Sequence, residues 1–214
     1  MAFFDELQQH TAAERGELLA IPVINDCLAG RITRAQYTAF LREAYHHVRH
    51  TVPLLMACGS RLGEGRAALR AAIEQYIAEE RGHEEWILED LRACGEDPAA
   101  VRAGEPAAAT ELMVAYVYDY IARVNPAGML GMVHVLEGTS SALATRAAQA
   151  IARALRLPQS AFTYLTSHGS LDQEHVEFFK MTIEGLTVED RSSTVHVARR
   201  VYRLYGDVFR SLPA

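Results

Sequence analysis

Residues 167–179, SHGSLDQEHVEFF, have the period of a helix, yet their polar side chains fall where a buried helix face should be apolar. Steps of four and three keep side chains on one face, so His168, Asp172 and His175 form a column. The column continues through Leu165 on one side and Phe179 and Leu186 on the other, which is the spacing of a core stripe. Two imidazoles and a carboxylate are therefore expected to enter the interior together.

Outward from this stretch the chain is helical in pattern from end to end, with no run of alternating β-branched residues bounded by hairpin turns. The pattern predicts helices over about 3–19, 21–29, 33–62 with a kink at Pro53, 66–94, 107–124, 128–155, 159–185 and 187–212. TRAQ at Thr33–Gln36 and TVED at Thr187–Asp190 have the form of capping boxes. GEDPAAVRAGEPAAAT, residues 95–110, reads as a loop with a helical turn and not as a domain linker. The expectation is an all-α bundle of about seven main helices forming one domain over 1–214.

Bulk properties narrow the function. Half the residues are hydrophobic and the net charge is −6, so there is no basic field for nucleic acid or an anionic membrane, and neither is expected as a partner. No apolar run reaches the roughly 18 residues of a membrane helix, and the N-terminus lacks the pattern of a signal peptide. Cys27, Cys58 and Cys94 are odd in number and lack metal spacing, which fits a reducing compartment; a cytoplasmic location is the expectation.

Polar residues also interrupt two other apolar stripes. Between 66 and 94 the stripe runs Leu69, Ile73, Tyr76, Glu80, His83, Ile87; between 128 and 155 it runs Leu130, Val133, Glu137, Ser141, Ala144, Ala148, Ile151. A single inward His or Glu is ordinarily a hydrogen-bonded core residue. Here Glu80, His83, Glu137, His168, Asp172 and His175 come from three helices, and uncompensated buried carboxylates cost several kcal/mol each. They require a proton-sharing network or cations. Glu80 with His83 and Asp172 with His175 repeat the acid-x-x-His unit of di-iron carboxylate bundles. The mixture of imidazole and carboxylate suits iron or manganese better than calcium.

HGSLDQEHVEFF, with VLEGTSS around Glu137 and EERGHEEW around His83, resembles the metal helices of the haem-oxygenase-like di-iron oxidases over roughly residues 35–185. The resemblance implies a haem-oxygenase-like bundle and an enzyme that uses two ferrous ions, with manganese as the alternative metal, to activate O2. Its substrate would be an amino-acid-like or fatty-acid-like small molecule. It also implies that His83, His168 and His175 ligate, that Glu137 bridges, and that Glu80 and Asp172 complete the site, with Glu79 as the alternative to Glu80. A homodimer is a further implication. The wider superfamily includes TenA thiaminases and PqqC oxidases without this iron site, so an iron-free enzyme or binder is one rival; a thiaminase would need a reactive Cys, for which none of the three has the context.

A second column in REAYHHVRH places Glu43, His47 and His50 on one face, available to the pocket or to the ligands. Tyr76 and His134 are further candidates for the pocket. A ferritin-like metal-binding protein is the other rival, with Glu43, Glu80 and His83, Glu137, and Asp172 and His175 imitating its ligand order.

Overall fold

Apart from one short helix inside the 95–110 loop, the described helices follow from the apolar pattern above, but the chain breaks that pattern more often than the period announces. The computed structural model describes residues 1–213, with the side chains of 168–174 outside that description. Among the described residues there are twelve α-helices: α1 (Phe3–His10), α2 (Ala12–Leu19), α3 (Pro22–Leu28), α4 (Arg34–Val48), α5 (Thr51–Ser60), α6 (Ala67–Glu80), α7 (His83–Ala93), α8 (Pro98–Ala103), α9 (Ala108–Arg123), α10 (Met129–Leu155), α11 (Thr163–Glu184) and α12 (Val188–Arg210). Short 3-10 turns precede α6, α10 and α11.

Twelve helices instead of about seven is a correction with local causes. The segment 3–19 divides at Thr11, whose hydroxyl donates to the Leu7 carbonyl at 2.7 Å. The segment 33–62 breaks at Arg49 and His50, and Pro53 sits in the first turn of α5, where its missing N–H has no intrahelical acceptor to lose. The segment 66–94 breaks where Arg81 turns extended and Gly82 takes the left-handed conformation at φ 90°. Glycine reaches that region without the Cβ penalty.

The capping box at Thr33 forms in full, with Gln36 answering the Thr33 N–H at 2.8 Å. The one at Thr187 forms by half. Thr187 accepts from the Asp190 N–H, while the Asp190 carboxylate turns inward to Asn125 at 3.0 Å and Arg66 at 2.8 Å.

α10 is the central element. Its residues 129–135 are buried on every face, as expected for a helix surrounded by others. It packs along both α11 and α12, and a Cβ on Gly131 would stand 2.5 Å from the Thr194 carbonyl oxygen, so only glycine permits that approach of α10 to α12. Two apolar cores flank it. One gathers α1, α2, α5, α6, α9 and α12; the other gathers α4, α7 and the start of α11. The polar residues of interest lie where the two meet. No helix of the described residues is long and apolar enough to cross a membrane.

Candidate metal centre

The break at Arg81–Gly82 makes the centre. It ends α6 at Glu80 and starts α7 at His83, so the imidazole reaches back and places Nδ1 3.1 Å from Glu80 Oε2. Trp86, one turn along α7, stacks on the His83 ring at 4.1 Å. α10 contributes Glu137 and α11 contributes His175. One ligand atom from each of Glu80, Glu137 and His175 lies within 4.8 Å of the other two, a separation that one cation can span. Glu79 lies next to the group, its Oε2 3.5 Å from His175 Nε2.

Beside these residues is a cavity of about 70 Å³. Glu80, Glu137, Tyr76 and His47 form its polar part, and Leu55, Met129, Met132 and Leu136 are among the apolar side chains that close it. Tyr76 is fully buried. Burial, then the negative charges of Glu137, Glu79 and Glu80, hold its hydroxyl above the usual phenol range, so it stays protonated.

The donor set fits iron or manganese: carboxylate oxygens and imidazole nitrogen, without thiolate, converging from three helices. Glu80, His83, Glu137 and His175 are thus brought together as the stripes predicted. Glu79, the alternative to Glu80, lies against His175 and outside that group of three. His168 and Asp172 belong to α11, but their side chains lie outside the described residues.

The remaining candidates separate. His47 lines the cavity and meets the Tyr205 ring edge-on at 5.8 Å. Glu43 does not: its carboxylate accepts from the Ala107 N–H at 3.1 Å and from the Thr110 hydroxyl, capping the start of α9. His50, beyond the end of α4, has Nδ1 3.2 Å from the Tyr118 hydroxyl on α9. His134 is a core residue, stacked on Phe179 at 5.9 Å with Nε2 3.4 Å from the Thr11 hydroxyl, and burial pushes its pKa down to about 4. One turn of α10 separates His134 from Glu137, yet the two face different neighbours.

One polar residue of importance lay on a stripe without being singled out. Asp90 follows His83 and Ile87 on the inner face of α7, is completely buried, and accepts the Thr163 and Tyr164 N–H groups at 2.8 and 2.9 Å. It therefore caps α11, the helix that delivers His175. Tyr37 fixes the preceding turn by donating to the Ala161 carbonyl at 2.6 Å.

The arrangement has relatives. A solved domain of unknown function with a heme oxygenase-like fold from Shewanella denitrificans is 26% identical, with a TM-score of 0.88 over 98% of this chain and 91% of that one. Heme oxygenase from Leptospira interrogans gives 0.80 at 16% identity, over 99% of this chain and 100% of that one. A TenA homologue from Pseudomonas syringae gives 0.81 at 9% identity, covering 98% and 91%. Among curated proteins none matches. The fold is haem-oxygenase-like, which replaces the ferritin-like alternative, and Glu43, engaged at α9, does not supply that alternative's first ligand. The model of one family, described as iron-containing redox enzyme, matches residues 38–206, and with carboxylates and imidazoles converging inside that span, this chain belongs to the family of iron-containing redox enzymes.

Proposed function

We propose that this protein is a non-haem iron oxidoreductase that uses O2 to oxidise a small molecule, with two iron ions held between α6, α7, α10 and α11. The observation that carries this reading is the convergence of Glu80, Glu137 and His175 to within 4.8 Å, with Glu79 and His83 against them. Several acids gathered at one partly buried place are stable together when a cation neutralises them. His168 and Asp172, seven and three residues before His175 in the sequence, are the remaining ligands this reading assigns.

Bound iron supplies the one-electron and O2 chemistry that amino-acid side chains lack. The chain supplies the rest. Glu80, Glu137 and His175 bind and Glu79 stands by as a further oxygen donor. His83, pressed between Glu80 and Trp86, fixes the Glu80 carboxylate and is itself a candidate ligand. Tyr76 keeps its proton beside the acids and so offers an O–H donor at the cavity wall. Leu55, Met129, Met132 and Leu136 keep water from that wall.

The iron-free thiaminase-like rival needs an activated thiol. Burial pushes the Cys27, Cys58 and Cys94 thiols up to about 11, 12 and 11, away from the reactive range. The functional reading is tested by loading the protein with ferrous iron without air and admitting O2. The expected result is about two irons per chain, rapid O2 uptake tied to the loaded iron, and loss of that uptake in Glu137→Ala. Uptake no faster than free ferrous iron in buffer would reject it.

A further inference from the structure

A second cavity, of about 100 Å³, adjoins the first. Ser140, Tyr164 and Tyr205 stand in the walls of both. Tyr205 stands between them: its ring meets His47 edge-on at 5.8 Å and Phe209 at 4.9 Å, and Phe209 stacks on Phe40 at 5.8 Å. Beyond Tyr205 the wall changes character. It is made by α3, α4, α10 and the end of α12, and none of its side chains is an acid, a histidine, a lysine or an arginine. The Cys27 thiol is held neutral by burial, and the Tyr37 hydroxyl is already spent on the Ala161 carbonyl. Ala144 and Ala147, one turn apart on α10, leave the space open.

Such a space has room for several waters but few partners for them, and it suits hydrocarbon. A charged or zwitterionic group placed there would lose its hydration without compensation. We infer that this apolar chamber receives the aliphatic chain of the substrate, so that the molecule acted on is an amphiphile whose polar, reacting end lies at the carboxylate–histidine centre. The position of the reacting end rests on the functional reading above; the tail site stands on the chamber's own wall. Tyr164 and Tyr205 form the neck through which the chain passes, and Ala144 and Ala147 set how long or bulky it can be.

The test uses straight-chain alcohols, whose neutral head needs no metal. Full-length protein is titrated calorimetrically with 1-butanol, 1-hexanol, 1-octanol and 1,8-octanediol, with iron content measured on the same samples. Affinity should rise about fourfold per methylene until the chamber is full. The diol, which carries a hydroxyl into the apolar end, should bind about tenfold more weakly than 1-octanol. Ala147→Phe, or Ala144→Leu if the first folds poorly by circular dichroism, should abolish the gain beyond 1-hexanol and leave iron content unchanged. A flat series in the unaltered protein, or the same rise in the folded variant, overturns the tail site. Unaltered protein that takes up no iron yet shows the chain-length rise would reject the functional reading and keep the tail site.

Discussion

Asp190 and Glu80 are both acids carried inward by helices, and they end in different company. Asp190, 2% exposed, meets the Arg66 guanidinium at 2.8 Å and the Asn125 amide at 3.0 Å. Glu14, equally buried, has Arg199 at 2.7 Å and Arg203 at 3.4 Å. Asp90 has two backbone N–H donors. Each of these acids is held by protein donors and serves the fold. Glu80 and Glu79 instead sit beside His83 and His175, with Glu137 converging on the same point. Acids given a guanidinium or a helix end hold the fold, whereas acids gathered with imidazoles and one another are the cluster to which the proposed function assigns a cation.

The contrast can be broken at its structural side first. Asp190→Ala strands Asn125 and Arg66 and should cost about 3 kcal/mol in chemical denaturation, the lower end for a broken buried pair because Arg66 can reach water. Iron uptake by the folded fraction should not change. A loss below about 1 kcal/mol would deny the acid its structural role.

His134 extends the comparison to a buried base. Its folded pKa lies near 4, below the ordinary 6.5, because burial favours the neutral ring. As pH falls below 6.5 the unfolded chain takes up a proton that the folded protein refuses until about pH 4. Stability is therefore complete above pH 6.5 and declines through this window, by on the order of 3 kcal/mol. His134→Phe, which keeps the stack on Phe179, should remove that decline; denaturation midpoints at several pH values in this window would reveal it.

A smaller effect is expected at Asp90. Removing its carboxylate in Asp90→Ala uncaps α11 at Thr163 and Tyr164 and should lower stability by about 1–2 kcal/mol, read as a shift of the urea midpoint with an unchanged slope. A change in slope would mean that more than the cap was lost.

Most of the helices were legible because the 3.6 period is strong and their ends carry Gly, Pro or a cap, as at Thr33 and Pro158. The extra breaks were not, because an apolar stripe runs on across a one- or two-residue interruption. Gly82 in EERGHEEW was the visible sign of the break between α6 and α7. The pairing of Glu80 with His83 is nonetheless legible in the acid-x-x-His spacing, and the two meet at 3.1 Å across the turn at 81–82. Glu43 and His134 show the limit of the method: a stripe says that a side chain faces inward, and only the packing of α9 or of Phe179 says what it meets there. The neck at Tyr164 and Tyr205 joins residues 41 positions apart through tertiary packing, and no local pattern announces it.

The central claim is that Glu80, Glu137 and His175 hold iron, and the most direct measurement is an anaerobic ferrous titration of the unaltered protein against Glu137→Ala and His175→Ala. Supporting residues around metal ligands typically cost 10–100-fold in affinity when changed, so the loss of a ligand itself should weaken binding by about 100-fold or more. Helical content should stay the same. Superimposable titration curves for all three proteins would contradict the account.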